Sequence, residues 1–327
     1  MTAVPLTLRR TLAESGLPRL FDGHLHLVAD DQQRYPRVAP GTPPPGAGPG
    51  GGGLPPGVGG QPGGHSDNAP RAETDAERVV RWMDEKGVQA AAAVQKKGTY
   101  GFDNSYIIDS SDKYPTRFRP VVVLDAEDIH TPDQVRQLAK VHGLAGVRLT
   151  GGMSPDKSFS WLSSPQAHNT WAALEEHGLV ADLMITAPGR PPEAISELSA
   201  LAERYPRVRL VLDHAGYPIP RGAPDYGLDA LQASLSKHRN IYYKVTAINL
   251  DLLREAEVSS TDFVRRVVDV YGPDRVLWGS DAGNSGGSYG DIVKRILAST
   301  QRLTEAERIQ VLHDVGDRAF ERGGRRA

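Results

Sequence analysis

The chain alternates between apolar strand patterns and amphipathic helix patterns over most of its length. Eight short apolar runs each precede a helical pattern, and runs such as VQAAAAVQ and LVADLMI are too apolar for strands with one face in solvent. Strands of this kind are typical of a parallel sheet covered on both faces. Eight such units predict an α/β fold, a single-domain (β/α)8 TIM barrel. An open doubly wound sheet is the alternative, but DGHLHL after the first strand is not the glycine-rich turn it would usually show.

Two segments fall outside this alternation. Residues 1–18 are predicted to be an N-terminal extension, and residues 19–327 are predicted to form the barrel. Residues 40–64 are almost entirely glycine and proline and cannot bury apolar area, which predicts a flexible loop inserted after the first strand. A linker between domains is the alternative, but the strand that precedes it needs the rest of the chain to complete a sheet. Whether this loop acts as a lid over a site or is a dispensable insertion stays open.

Composition excludes several classes of function. The 38 basic and 40 acidic residues give a net charge of −2, so neither a nucleic acid nor another polyanion is an expected partner. The absence of cysteine excludes disulfides, zinc–thiolate sites and thiol nucleophiles. No apolar run approaches the 18 residues or so of a membrane span. We expect a cytoplasmic protein with a small-molecule substrate and no membrane partner; the oligomeric state, a homo-oligomer included, stays open.

Two histidines lie on the first predicted strand, in RLFDGHLHL. Side chains alternate along a strand, so Asp22, His24 and His26 are predicted to share one face. Three ionisable groups on one face of an apolar strand are costly to bury unless something pairs them. The pattern therefore predicts a metal ion or a polar active site, with a polar surface strand as the alternative.

Further polar residues lie where the other strands are predicted to end, which is where a TIM barrel builds its site. The alternative for Arg148 is a structural ion pair with Asp182 or Asp213, and Gln95 or Lys244 could simply extend from strand ends into solvent. Convergence of so many polar groups on one barrel mouth favours a functional role for the set. Its members are Gln95, Arg148, Asp213, His214, Lys244 and Asp281.

Several motifs occur in the order found in a known enzyme family. They are FDGHLHL, RYP, KGVQAAAAVQ, GVRL, LVLDHAGYP, IYYKVTAI, YGPDRVLWGSDAG and LHDVGDRAF. With them the chain resembles the amidohydrolase-related (amidohydrolase 2) branch of the metal-dependent hydrolase superfamily, and closely its predicted TIM-barrel lactonase subgroup. The resemblance runs from Leu20 to Phe320, and the glycine- and proline-rich segment lies outside it.

The resemblance implies a catalytic centre lined by His24, His26 and Asp281, often around one divalent ion such as zinc or manganese. His214 is a fourth candidate ligand. Asp281 would take a proton from the attacking water, while His24 and His26, with Lys244, would polarise a carbonyl group. His214 would orient the substrate or shuttle a proton. The expected substrate contacts are Arg148, Lys244, Gln95, Tyr217, Arg34 and Tyr35.

One position departs from the family pattern. Many relatives carry a metal-binding histidine on the fifth strand, whereas LVADLMITAP places Met184 there, and methionine is a poor zinc ligand. The presence of a metal therefore stays open. A metal-free hydrolase would use Asp281 directly as the base, with Arg148, Lys244 and Arg34 binding a carboxylate-bearing substrate.

The predicted activity is hydrolysis of a small lactone bearing carboxylate or hydroxyl groups. A metal-dependent, non-oxidative decarboxylase of the same family is the first alternative. It would need a firmly bound metal, so the missing histidine on the fifth strand counts against it. A catalytically inactive barrel that serves as a binding protein is the second, and the intact histidine and aspartate motifs count against it.

Overall fold

A computed structural model describes residues 19–38, 74–186 and 191–323 of the chain. Its eight strands are all parallel and lie in sequence order in one sheet. The predicted (β/α)8 barrel is therefore confirmed. The strands are β1 (Leu20–Leu25), β2 (Val88–Val94), β3 (Phe118–Val123), β4 (Gly146–Gly151), β5 (Val180–Ile185), β6 (Arg209–Leu212), β7 (Ile241–Thr246) and β8 (Val276–Gly279).

The barrel closes between β8 and β1. The backbone N–H of His26 donates to the carbonyl of Ala282 (2.9 Å), and that of Asp281 donates to the carbonyl of His24 (2.7 Å). The two strands approach so closely that a Cβ atom at Gly279 would lie 2.5 Å from the Cβ of His24. Glycine is therefore needed there, and the closure fixes the histidine strand against the strand that ends at Asp281.

Helices follow the strands around the outside of the barrel. The helical residues 310–314 between the last two helices form a π-helical turn. The helices are α1 (Ala76–Lys86), α2 (Lys97–Tyr100), α3 (Ser105–Lys113), α4 (Thr131–His142), α5 (Ser160–Ser163), α6 (Pro165–His177), α7 (Pro192–Arg204), α8 (Ala230–Ala233), α9 (Ala247–Glu255), α10 (Ser260–Tyr271), α11 (Tyr289–Ser299), α12 (Glu305–Ile309) and α13 (Val315–Ala319). None of the helices in the described ranges is long and apolar enough to cross a membrane.

The interior of the barrel has an apolar layer below a polar one. Phe21, Val180 and Val211 belong to the apolar layer, which Phe320 closes by stacking on Phe21 with ring centroids 6.4 Å apart. Two residues after Val180 and Val211, the chain places Asp182 on β5 and Asp213 directly after β6. The polar side chains therefore lie above a packed floor, towards the carboxyl ends of the strands.

The predicted shared face of Asp22 with the two histidines is wrong. The pairing of β1 with β2 is irregular between Asp22 and Leu25, so the alternation of side chains is interrupted there. Asp22 instead accepts hydrogen bonds from the Tyr289 hydroxyl of α11 (3.0 Å) and from the backbone N–H of Ser280 (2.8 Å). Burial raises the pKa of Asp22 to about 6, although the hydrogen bonds to its carboxylate lower the pKa. Its contacts fix β8 and α11 to β1.

The short helix α8 is followed directly by a 3-10 turn, Ser234–Lys237. Thr131 is the first residue of α4, and its hydroxyl donates to the carbonyl of Asp125 (2.6 Å). The predicted loop 40–64 and the predicted extension 1–18 lie outside the described residues.

Candidate active site

The two oxygens of the Asp281 carboxylate have different surroundings. Oδ2 accepts hydrogen bonds from the Ser285 hydroxyl (2.8 Å) and the Asn284 amide (3.1 Å). Oδ1 has no hydrogen-bond partner among the described residues and lies 3.5 Å from Nε2 of His24 and 3.4 Å from Nε2 of His26. Burial raises the pKa of Asp281, but the close approach of His26 and the neighbouring rings of His214 and His24 outweigh it and hold the pKa below its usual value. Asp281 is therefore an anion at neutral pH with one oxygen held and one available.

The ring of His26 presents a lone pair to this oxygen. Its Nδ1 lies 2.9 Å from the carbonyl oxygen of Val94, which can only accept, so Nδ1 carries the hydrogen. Burial lowers the pKa of His26, which favours the neutral ring and leaves Nε2 as an acceptor. Two acceptors 3.4 Å apart in a buried site need a proton or a cation between them. Ligand atoms around a tetrahedral zinc ion with bonds of about 2.0–2.1 Å lie roughly 3.3–3.4 Å apart.

His24 completes this group. Its Nδ1 lies 3.2 Å from Asp213 Oδ1 and 3.0 Å from Lys244 Nζ, and its Nε2 has no hydrogen-bond partner in the described part of the chain. A carboxylate behind the ring is the arrangement by which metal-binding histidines are usually oriented. Burial and the charge of Lys244 lower the pKa of His24, so the ring is neutral. The three side chains His24, His26 and Asp281 are buried, and their ligand atoms are close enough to hold one metal ion.

A second set of side chains close enough to hold a metal ion consists of His24, Asp213 and His214. There, however, both oxygens of Asp213 already face cations. Lys244 donates to Oδ1 (2.8 Å), and Nε of Arg148 lies 2.9 Å from Oδ2. Although burial acts in the opposite direction, these two cations hold the pKa of Asp213 well below its usual value. A second metal ion would have to displace a lysine and an arginine, so one ion fits this site better than two.

His214 lies on a strained turn at the end of β6. His214, Ala215 and Tyr217 all have left-handed φ angles of 51–54°, which side chains other than glycine rarely adopt. The turn is held because Asn249 of α9 donates to the His214 carbonyl (2.8 Å). Burial lowers the pKa of His214 to about 4, so this ring too is neutral. The ring centroids of His24 and Tyr217 lie 5.3 and 4.8 Å from that of His214, and the Tyr217 hydroxyl is buried without a hydrogen-bond partner among the described residues.

The structure gives Lys244 a different environment from the predicted one. Its ammonium group is fully buried and lies within hydrogen-bonding distance of Asp182 Oδ1 (2.6 Å), Asp213 Oδ1 (2.8 Å) and His24 Nδ1 (3.0 Å). The two aspartates accept two of its three hydrogens, so the charge of Lys244 is compensated within the protein rather than by a substrate. Burial and the neighbouring Asp213 raise the pKa of Asp182 to about 7.

The other predicted cations are paired as well. Arg148 lies beside Asp213 and also donates to the Met184 sulfur (2.8 Å), so Met184 contacts an arginine instead of the histidine–aspartate group. Arg34 and Tyr35 both donate to Asp109 of α3, at 2.8 and 2.7 Å. Among the described residues, no hydrogen bond or ion pair joins Arg34 or Tyr35 to His24, His26 or Asp281.

Gln95 lies at the end of β2 and is buried. Its amide nitrogen donates to the carbonyls of Gly101 (3.0 Å) and Asp103 (2.8 Å), while its Oε1 has no hydrogen-bond partner in the described residues. Of this side chain, only the carbonyl oxygen is left for a ligand. Two residues of the site were missed as site members: Asp182, whose signal is a charge inside the apolar run LVADLMI, and Thr246, whose contact with His214 left no signal in the sequence.

The fold and this site define a barrel hydrolase with an aspartate and two histidines at the carboxyl ends of the first and last strands. A family model described as Amidohydrolase matches residues 21–315. The chain therefore belongs to the amidohydrolase family, which confirms the predicted enzyme class and the resemblance noted in the sequence.

Three known proteins illustrate the relationship. The L-fucono-1,5-lactonase of Burkholderia ambifaria is 29% identical over 216 residues, which are 63% of this chain and 69% of that protein. A structure assigned as a 2-pyrone-4,6-dicarboxylic acid hydrolase from Pseudomonas putida has a TM-score of 0.66 and 20% identity, covering 92% of this chain and 97% of that one. A zinc-bound amidohydrolase from Burkholderia multivorans has a TM-score of 0.64 and 18% identity, covering 93% and 99%. Decarboxylases share the fold too, with TM-scores of 0.54 and 0.55.

Proposed function

We propose that this enzyme hydrolyses a small, uncharged lactone that carries hydroxyl groups. The observation that carries the proposal is the free Oδ1 of Asp281, held by contacts to its other oxygen and facing two neutral imidazoles. Such an oxygen can take a proton from water without first breaking a hydrogen bond of its own. The similarity to a lactonase supports an ester as the substrate.

In this mechanism Asp281 Oδ1 accepts a proton from a water molecule while the water oxygen attacks the lactone carbonyl carbon. The resulting tetrahedral intermediate collapses, and the bond from that carbon to the ring oxygen breaks. The ring oxygen takes up the proton and leaves as a hydroxyl group, so the product is an open hydroxy acid. Placing the base and the carbonyl in one buried site supplies the orientation that the reaction needs.

We also propose that His24, His26 and Asp281 hold one divalent ion, zinc or manganese. Two lone pairs and a carboxylate oxygen at 3.4–3.5 Å suit such an ion, and the orphaned His24 Nε2 and Asp281 Oδ1 support its presence. Bound there, it would polarise the carbonyl and lower the pKa of water. Asp213 and Lys244 contact Nδ1 of His24, and these contacts fix the direction in which its Nε2 points.

The uncharged substrate follows from the pairing of the cations. The three cations expected to bind a substrate carboxylate, Arg34, Arg148 and Lys244, each lie against an aspartate. A substrate carboxylate would have to compete with those aspartates. The same pairing counts against a decarboxylase, and the orphaned polar atoms around Asp281 count against an inactive barrel.

A panel of lactones tests the proposal. Neutral hydroxylated 1,4- and 1,5-lactones and carboxylate-bearing lactones would be offered at pH 7 with added zinc or manganese, and acid release would be followed with a pH indicator. The Asp281→Asn variant serves as the blank. We expect hydrolysis of the neutral lactones well above the blank. Turnover of none, or release of carbon dioxide from aromatic acids instead, would overturn the proposed activity; a clear preference for the carboxylate-bearing lactones would overturn the proposed substrate class alone.

A further inference from the structure

The buried hydroxyl of Thr246, the last residue of β7, contacts the ring of His214. Its Oγ1 lies 2.6 Å from His214 Nδ1, and in the described part of the chain this nitrogen is the one acceptor that the hydroxyl reaches. The same oxygen faces the backbone N–H of Asn249 in the capping box that begins α9. Thr246 is fully buried, so its hydroxyl hydrogen must be satisfied within this small set of atoms.

The positions of the hydrogens follow from this set. If His214 Nδ1 carried a hydrogen, it would point at Oγ1, and the Thr246 hydroxyl hydrogen would be left buried without an acceptor. If Nδ1 carries no hydrogen, the Thr246 hydroxyl donates to it, and the lone pairs of Oγ1 face the backbone N–H of Asn249. We infer that Thr246 fixes His214 as the neutral tautomer with its hydrogen on Nε2, so that His214 presents an N–H donor to the substrate.

This inference rests on the proposed hydrolysis and assigns the role of His214 within it. Among the described residues the ring of His214 has a hydrogen-bond partner at Nδ1 only, and it lies 5.3 Å from the ring of His24, centroid to centroid. An N–H at Nε2 of this ring can bind the lactone carbonyl or ring oxygen as negative charge develops there. A nitrogen that carries a hydrogen cannot ligate a metal or take a proton. His214 is then neither the fourth metal ligand nor a base: Asp281 accepts the proton, and His214 donates a hydrogen bond.

The tautomer can be read without any substrate. In protein labelled with ¹⁵N-histidine, the signals of His214, identified by their loss in His214→Gln, should show a protonated Nε2 and a bare Nδ1. Thr246→Val keeps the shape of the side chain and the hydrogen bond from the backbone N–H of residue 246 to Asn249 Oδ1 (3.0 Å). It removes the hydroxyl donor, so Nδ1 should gain hydrogen. Thr246→Ser restores the donor and should restore the original signals. A protonated Nδ1 in the unmodified protein would overturn the inference, as would a tautomer unchanged in Thr246→Val.

Two substitutions of His214 test its role. The amide nitrogen of glutamine can stand in for Nε2–H, whereas asparagine is too short and reaches only the Nδ1 position. We expect His214→Gln to keep kcat within about tenfold and His214→Asn to lose roughly 10²–10³-fold, the usual loss on removing one oxyanion donor. Zinc content should be unchanged in both. Equal losses of kcat, or loss of zinc in His214→Gln, would overturn the role, and failure of the lactone panel alone would leave the tautomer result standing.

Discussion

The polar layer inside the barrel has two halves that differ in how their atoms are paired. The open half, His24, His26 and Asp281 on the adjoining strands β1 and β8, keeps an imidazole nitrogen and a carboxylate oxygen without hydrogen-bond partners among the described residues. The paired half lies across the barrel on β4 to β7, and its cations contact its carboxylates at 2.6–2.9 Å. It consists of Arg148, Asp182, Asp213 and Lys244.

This difference gives the two halves different roles: the paired half supports the fold, and the open half carries the reaction. A buried charge without a partner is costly, so an unpaired atom persists only where the rest of the fold holds it or where a ligand completes it. In the paired half most of the charge is compensated within the protein: Arg148 Nε and Asp213 Oδ2 lie 2.9 Å apart, and among the described residues of this half Asp182 Oδ2 is the atom left without a close cation. His24 joins the two halves, because Asp213 and Lys244 contact its Nδ1 while its Nε2 faces Asp281.

The largest expected effect is the removal of the base from the open half. Asp281→Asn should lower kcat by about 10²–10⁴-fold, because general-base catalysis commonly supplies that much. The stability of the metal-free protein should hardly change: the oxygen of the introduced amide can still accept from Ser285 and Asn284, and its nitrogen can donate to the lone pair of His26. A thermal melt and a rate measurement on the same preparation check both expectations.

Ser285→Ala is the matched control for that variant. It removes one hydrogen bond from Oδ2 and leaves the charge of Asp281 in place, so a loss of about tenfold or less is expected. If Asp281→Asn turned over lactone at a near-normal rate but melted at a lower temperature, Asp281 would be a structural residue and the proposed mechanism would fail.

The paired half should respond in the opposite way, through stability. Lys244→Met leaves Asp182 and Asp213 buried with only Arg148 to compensate them, which should lower the free energy of unfolding by about 3–5 kcal/mol. Lys237→Met is the control, since that lysine and its partner Glu203 are exposed and 3.7 Å apart. It should cost less than about 1 kcal/mol. Urea unfolding without added metal measures both, and equal midpoints would show that the paired half does not support the fold.

The same contrast explains how far the sequence could predict the molecule. Strands buried on both faces read as continuous apolar runs, so the barrel could be predicted from one sequence. The irregularity in β1 could not, because it is a property of the pairing with β2, whose residues come more than 60 positions later in the chain. Residues of the open half were identified because they form short motifs at strand ends.

The pairing of the cations was beyond sequence reasoning for a related reason. Lys244 of β7 meets Asp182 of β5, 62 residues away, and such a contact depends on which positions of the two strands face inward. Arg34 lies near the histidines in sequence, yet its partner Asp109 comes from α3. Proximity in the chain therefore gave the wrong neighbours, whereas the alternative of an ion pair between Arg148 and Asp213 agrees with the structure.

The smallest effect, and the sharpest test of the open half, concerns the metal. An ion present at 100 times its Kd should stabilise the protein by about 2.7 kcal/mol, seen as a rise in melting temperature on adding zinc or manganese. His24→Ala and His26→Ala each remove a ligand and should abolish this rise and the bound metal. Met184→Leu is the matched control, because Met184 contacts Arg148 rather than the open half, so the rise should persist. Elemental analysis of protein purified without chelators gives the stoichiometry. Full metal retention in both alanine variants would show that the ion binds elsewhere. Loss of the metal in Met184→Leu would show that the paired half takes part in the metal site, and the distinction between the two halves would fail.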